Sequence, residues 1–168
     1  TEAKAGRPRK ASVVNTSSTS GLRGRFGQSN YGAAKAGIAG FSRVLALEMA
    51  KYECTVNTVS PGAATRLTIP LMEGRGEAVA EEDWTRGPEQ IAPVVTWLAS
   101  EAGSAWNGQI VNVMRGTIGI MQQPAIIRSF ASDHLWTSSD LDRVMPAMLD
   151  AKRAHDLRAK REGEPEPI

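Results

Sequence analysis

Residues 11–35 read ASVVNTSSTSGLRGRFGQSNYGAAK, and the order of residue types within them decides the fold. A short apolar run with Val13 and Val14 between polar residues suits a buried parallel strand over Ala11–Thr16. A cluster of hydroxyls follows, then a turn carrying Gly21, Gly24 and Gly27, then a helical run starting near Ser29. Within that run Tyr31 and Lys35 stand four apart, so a helix sets them one turn apart on one face. A free phenol loses its proton near about pH 10. A neighbouring ammonium can bring a phenol toward the range useful for general acid–base work. The same spacing also fits a lysine stem lying over a ring with its head in water. The strand, hydroxyl cluster and glycine turn in front of the pair favour the chemical reading. Ser18, thirteen residues before Tyr31, supplies the hydroxyl, ranked above Ser17 and Ser20 on spacing alone.

These residues resemble the short-chain dehydrogenase/reductase family, whose signature is a serine after one strand and a Tyr-x-x-x-Lys on the next helix. The runs GQSNYGAAKAGIAGFSRVLALEMA and VNTVSPGAATRLT carry the likeness further, over about residues 11–120. NTVSPGAATRLT together with PEQIAPVVTWLAS looks most like the dehydrogenase unit of peroxisomal multifunctional enzyme type 2 and its bacterial relatives. That group acts on 3-hydroxyacyl-CoA thioesters and sometimes on steroids. The resemblance implies an NAD- or NADP-dependent oxidoreductase with Ser18, Tyr31 and Lys35 as catalytic residues. It implies a nicotinamide end framed by Tyr31, Lys35, Pro61, Gly62, Ala64 and Thr65. The common family threonine falls at Arg66 here, which makes Thr65 the less direct carry-over. A 3-oxoacyl-carrier-protein reductase shares the Ser, Tyr and Lys pattern, and a truncated module that only packs against a partner is the non-enzymatic alternative.

The expected fold is α/β: three parallel strands with their helices, the C-terminal half of a doubly wound Rossmann-type sheet. The G-x-x-G-x-x-G at 21–27 is not the dinucleotide fingerprint, whose first two glycines are separated by one residue. That fingerprint and the family's first strands are absent from the chain, so the chain reads as a fragment with a basic polar lead over 1–10. Residues 121–168 read as an extension with a helix over 139–161 and a disordered tail.

The helix over 29–51 has apolar or small residues on two stripes, one with Ile38, Phe41, Leu45 and Met49, the other with Ala33, Ala36, Gly40, Val44 and Leu47. Such a helix calls for cover on most sides. Gly37 and Gly40 suggest another backbone packed close by, and in the family this helix borders a subunit interface, so a homo-oligomer is expected of the complete protein. CTVNTVS reads as a second strand stopped by Pro61 and Gly62, and GQIVNVM as a third. The broken pattern over 63–86 suits a substrate lid, with Glu77, Glu81, Glu82 and Asp83 nearby. Pro88 then opens a helix whose apolar face is Ile91, Val94, Val95 and Leu98, with Trp97 as partial cover.

Composition narrows the function classes. The formal net charge is only +2, and the basic runs at the two ends lack the interleaved aromatics that stack on bases, which argues against nucleic acid. Cys54 is the sole cysteine, so no intrachain disulfide or cysteine metal cluster forms. His134 and His155 lack ligand spacing and read as surface or packing residues, and no metal is expected. No apolar run approaches the roughly 20 residues of a membrane span, and the chain reads as cytoplasmic. Its expected partner is a small-molecule substrate, with an acyl-CoA thioester as the leading candidate.

Overall fold

The computed structural model describes residues 11–74, 76 and 83–162, the side chains of residues 71, 84 and 157–162 excepted. The chain divides into two compact units, residues 1–122 and 123–168. The basic lead over 1–10, Glu77, Glu81 and Glu82 of the expected lid, and the tail from residue 163 lie outside the described residues.

The first unit is a four-stranded sheet in the order β1-β2-β3-β4. Strands β1 (Ala11–Thr16), β2 (Cys54–Gly62) and β3 (Ile110–Met114) run parallel, as the apolar runs predict. A fourth strand, β4 (Thr117–Ile120), returns antiparallel to β3 and was not anticipated. Only Arg115 and Gly116 separate the two, with φ of 53° and 72°. Positive φ at both positions is the demand of a two-residue type I′ hairpin. Glycine meets it freely, whereas a side-chain-bearing residue such as Arg115 accepts about 1–2 kcal/mol of strain.

β2 lies inside the sheet and is buried from Val56 to Ser60; Val56 is 0% and Val59 1% exposed. The strand does not stop before Pro61, as the sequence suggested, but runs through Pro61 and Gly62, which pair with Val113 and Met114. Val59 accepts the Ser17 N–H on the β1 side, and alternation turns Pro61 to that same side. β1 ends at Thr16, so proline's missing donor breaks no ladder bond there. β1 itself is half-buried rather than buried, because it is an edge strand among the described residues.

On one face of the sheet, Val59, Leu98, Val111 and Val113 form the core, with Val14, Ile91, Val94, Val95 and Trp106 packed around them. Each fully buried valine or leucine contributes about 1.5–3 kcal/mol relative to exposure. Beyond the short helix α3 (Ile69–Glu73), the helix α4 (Ile91–Ala99) brings Leu98 into this core after a 3₁₀ turn opened by Pro88. Trp97 remains 42% exposed and meets Trp106 edge to face.

Two asparagines join β2 to the loop before β3. Asn57, fully buried, donates to the Trp106 carbonyl at 2.7 Å and accepts the Gln109 N–H at 3.0 Å. Asn107 accepts the Val56 N–H at 2.9 Å and donates to the Ala46 carbonyl at 3.1 Å. Those bonds fasten helix α2 (Ser29–Met49) to the sheet. Only Ala39, Ser42 and Ala46 of α2 are buried, so small residues let the helix lie close to the strands. The expectation of cover on most sides is not met among the described residues: Phe41, Val44 and Leu47 are exposed, and no described atom beyond the helix's own backbone lies within 4 Å of a Cβ built on Gly37 or Gly40.

The second unit holds one long helix, α5 (Ser138–Glu162), with Val144 as its only buried apolar residue among those described. Thr137 caps it: its N–H and hydroxyl donate to the Asp140 carboxylate at 3.1 and 2.6 Å, and the Asp140 N–H donates back to the Thr137 hydroxyl at 3.2 Å. This reciprocal pair is a capping box with aspartate in the third position.

Candidate active site

The serines between β1 and α2 separate by what each hydroxyl bonds. Ser17, 2% exposed, donates its hydroxyl to the Lys35 carbonyl at 2.7 Å. Ser20, 7% exposed, donates to the Gln28 side chain at 2.7 Å. Ser18 is the N-cap of the one-turn helix α1 (Thr19–Leu22), where its Oγ accepts the Ser20 N–H at 3.2 Å. Accepting that bond leaves the Ser18 O–H as a donor.

The distance from this serine turn to Tyr31 is set by glycine. A Cβ on Gly21 would stand 2.5 Å from the Ala36 nitrogen and 2.7 Å from the Lys35 carbonyl carbon. A Cβ on Gly32 would meet the Ser20 oxygen at 3.3 Å. The backbones of α1 and α2 therefore touch where only hydrogen fits between them. Gly24 and Gly27, both at positive φ, then turn the chain back into α2.

Tyr31 is 45% exposed at the start of α2, and its N–H bonds the Asn30 side chain at 2.9 Å. The Lys35 ammonium lies 5.8 Å from the Tyr31 ring centroid and donates to the Thr16 carbonyl at 3.0 Å. That distance is within reach of a cation–π contact. The strand end thus holds the ammonium next to the phenol-bearing ring.

A cleft of about 440 Å³ opens beside them. Ser18, Tyr31, Pro61, Gly62 and Ala64 line it together, with Ala63, Leu67, Thr68, Met72 and Met114 as further wall. Met114 crosses Gly62 so closely that a Cβ there would meet its Cγ at 2.6 Å. Two of the expected site residues are not in the lining. Lys35 stands behind Tyr31, and Thr65 is engaged in a turn, its N–H donating to the Thr68 hydroxyl at 2.7 Å. Thr68 in turn donates to the Ala63 carbonyl at 2.9 Å, which makes it the residue shaping this rim. Arg66 does not line the cleft either.

Sequence reasoning missed Thr68 and three cationic wall residues, Arg25, Arg86 and Arg115. Arg86 pairs with Asp83 at 3.2 Å. A hydrogen bond from the Thr85 side chain, then its backbone and the nearby Arg86 and Arg115 charges, hold the Asp83 carboxyl below its ordinary value. Gln90 binds the Thr85 and Gly87 carbonyls on one side and the Gly116 N–H on the other, so residues 85–90 and the β3–β4 hairpin are joined at the cleft's edge. Among the described residues no group of three or more His, Cys, Asp or Glu could hold a metal ion.

Residues 2–117 match the family described as enoyl-(acyl carrier protein) reductase. The chain is 41% identical over 109 residues to peroxisomal multifunctional enzyme type 2 of Mus musculus, covering 64% of this chain and 14% of that protein. It is 38% identical over 117 residues to a 3-oxoacyl-(acyl-carrier-protein) reductase of Chlamydia trachomatis, covering 64% of this chain and 45% of the relative. The crystal structure of a short chain dehydrogenase from Mycobacterium avium superposes with a TM-score of 0.75 at 35% identity, over 89% of this chain and 49% of that one. The chain spans less than half the length of these relatives. With a matching family over most of its length and the same α/β sheet in a solved relative, the chain belongs to the short-chain dehydrogenase/reductase family.

Proposed function

We propose that the protein is an oxidoreductase that exchanges a hydride between a nicotinamide cofactor and a hydroxyl or carbonyl substrate, a 3-hydroxyacyl-CoA or hydroxysteroid in the leading case. The observation that carries this reading is the shared cleft of Ser18 and Tyr31, with the Lys35 ammonium held behind the ring by the Thr16 carbonyl. The substrate's reacting oxygen lies against the Tyr31 phenol, which gives or takes its proton. The Ser18 O–H hydrogen-bonds the same oxygen. Lys35 orients the phenol electrostatically and is the donor available to a ribose.

The rim residues fit a flat ring. Pro61, Gly62 and Ala64 present backbone and small side chains, and Gly62 leaves no Cβ between that rim and Met114. Tyr31, Lys35, Pro61, Gly62 and Ala64 would hold the nicotinamide end of NAD or NADP, with Thr65 acting through its turn with Thr68. The bound cofactor would supply or accept the hydride.

The resemblance of NTVSPGAATRLT and PEQIAPVVTWLAS to the dehydrogenase unit of peroxisomal multifunctional enzyme type 2 favours fatty acid metabolism and a CoA thioester, and two further relatives, 38% and 32% identical, are named acetoacetyl-CoA reductase and hydroxyacyl-CoA dehydrogenase. The name of the chlamydial relative supports a second reading, reduction of 3-oxoacyl groups on a carrier protein. Relative turnover on CoA and carrier-protein thioesters separates the two. No helix among the described residues is long and apolar enough to cross a membrane, and a cytoplasmic setting is part of the proposal. So is a homo-oligomer, supported by the exposed stripe of Phe41, Val44 and Leu47 on α2.

Tyr31→Phe tests the reading, since it removes one oxygen while the ring still packs. The expected outcome is a loss of steady-state turnover of about a hundredfold or more with an unchanged circular dichroism spectrum. Turnover within a few-fold of the parent would remove Tyr31 from the acid–base role.

A further inference from the structure

Two successive residues at the end of β1 hold one lysine by both of its ends. The Thr16 carbonyl accepts the Lys35 ammonium at 3.0 Å, and the Ser17 hydroxyl donates to the Lys35 main-chain carbonyl at 2.7 Å. Ser17 is itself fixed. It is 2% exposed, and its N–H donates to the Val59 carbonyl at 2.8 Å, which ties it to β2 just past the end of β1. The ammonium so held stands 5.8 Å from the Tyr31 ring centroid.

The helix does not need the Ser17 bond for its own sake. A carbonyl inside an α-helix already accepts the N–H four residues on, so α2 is satisfied at Lys35 without the hydroxyl. What the bond adds is a distance: it sets how closely the Lys35 backbone approaches the strand end. Gly21 permits the same approach, since a Cβ there would meet the Lys35 carbonyl carbon at 2.7 Å. The ammonium depends on it. An N–H···O bond seldom exceeds about 3.2 Å, so an outward shift of α2 by more than a few tenths of an ångström stretches the bond to Thr16 past its useful range. A lysine head freed in this way regains side-chain entropy, which favours its staying free.

We infer that Ser17 is a positioning residue for the proposed reaction: its buried hydroxyl seats the Lys35 backbone against the end of β1, so that the ammonium meets the Thr16 carbonyl beside the Tyr31 ring. Ser18, the next residue, lines the cleft, so the two neighbouring hydroxyls have separate tasks, one toward the reacting oxygen and one toward the lysine. The inference rests on the oxidoreductase reading for the use made of Lys35, but the seating itself is measured without cofactor or turnover.

The test is competitive labelling of the full chain with acetic anhydride, read lysine by lysine by mass spectrometry. Lys51 is the internal reference: its ammonium also lies over a ring, 5.0 Å from the Tyr52 centroid, and neither bond from the end of β1 reaches it. In Ser17→Ala the ratio of the Lys35 rate to the Lys51 rate should rise about threefold or more over the parent, the weight of one hydrogen bond. Ser20→Ala, which also removes a buried hydroxyl, should leave that ratio within about twofold of the parent. An unchanged ratio in Ser17→Ala, or an equal rise in Ser20→Ala, overturns the inference. So does a matching rise at Lys51, which would make Ser17 a support of the fold at large. Steady-state turnover should fall about tenfold to a hundredfold in Ser17→Ala, the cost of a displaced group at a reacting centre. Turnover within a few-fold of the parent while Lys35 is freed would remove Ser17 from the positioning role and leave the oxidoreductase reading standing. A freed Lys35 in a protein whose turnover is indifferent to Tyr31→Phe would remove that reading and leave the seating in place.

Discussion

The two units hold themselves together by opposite means. In the first, the bonds that matter join residues far apart in sequence: Ser12 to the Leu98 carbonyl, Asn107 to the Ala46 carbonyl, Asn57 to Trp106 and Gln109. In the second, the described bonds reach no more than six residues: Thr137 with Asp140, Arg143 with Asp140, Arg153 with Asp150 and Lys152 with Asp156. Bonds of the first kind exist only when the sheet is complete, so losing one weakens the whole unit. Bonds of the second kind stabilise a helix turn by turn, each exposed ion pair by only a few tenths of a kcal/mol. The candidate site sits where the long-range bonds are. A cleft that joins Ser18, Tyr31, Pro61 and Arg115 needs four chain segments in fixed register, whereas the cavity beside α5 is lined by residues of 128–147 alone.

The sharpest way to break this contrast is Asn57→Ala. It leaves the Trp106 carbonyl and the Gln109 N–H without their side-chain partner next to a fully buried position. Each buried group so orphaned costs about 1–3 kcal/mol, so a loss of about 3–4 kcal/mol in denaturant unfolding is expected. A loss below about 1 kcal/mol would mean that water or local rearrangement replaces those bonds, and that the unit is less interlocked than its topology suggests.

Gly21→Ala sharpens the comparison at the active-site end. The added methyl meets backbone atoms of α2 at 2.5–2.9 Å, which cannot rotate away as a side chain would. The expected cost is about 1–3 kcal/mol, less than for Asn57 because α1 is a single turn that can shift as a body. That shift would carry Ser18 away from Tyr31, so turnover should fall further than stability predicts. Unchanged turnover would show that the serine's position does not depend on the close crossing of α1 and α2.

These two sites also mark where the sequence was legible. The three parallel strands, α2 and α4 follow from β-branched runs and from apolar spacing at Ile91, Val94, Val95 and Leu98, which the core confirms residue by residue. β4 was missed because Arg115-Gly116 lacks the usual Asn-Gly turn signal and Gly119 interrupts a four-residue strand. Pro61 reads as a stop because nothing in the chain announces that the pairing of β1 ends at Val59, two residues before it. For the site, spacing singles out Tyr31 and Lys35 and ranks Ser18 above Ser17 and Ser20, but it does not say which of the three hydroxyls is already engaged. Only the partners of the three hydroxyls do that. The cationic wall is illegible in sequence, since positions 25, 86 and 115 meet only through the fold.

The smallest expected effect lies at the start of α5, where His134 proves to be more than an isolated surface residue. Its Nδ1 is 2.8 Å from Asp133 and its Nε2 3.2 Å from Asp140, the carboxylate that also closes the capping box. The Asp133 hydrogen bond, followed by that of Asp140, holds the imidazole above its ordinary value of 6.5. Thr137, by side chain and then backbone, together with His134 and Arg143, holds Asp140 below 3.8, and His134 does the same for Asp133. The His134 contribution is therefore complete below about pH 6.5 and is lost as pH rises through the higher folded value. The carboxylate contributions are present above about pH 4 and are lost as pH falls through the depressed values. The cap is strongest between those limits, and because His134 and Asp133 are solvent-exposed and Asp140 only partly covered, salt weakens it. A proton NMR titration of His134, assigned with a His155→Gln variant, should give a midpoint above 6.5 that drops in Asp133→Asn. Helical signal should decline slightly over the same interval while the sheet of the first unit is unaffected. A midpoint at or below 6.5 would leave α5 capped by Thr137 and Asp140 alone. Loss of sheet signal along with it would show that the short-range unit is coupled to the long-range one after all.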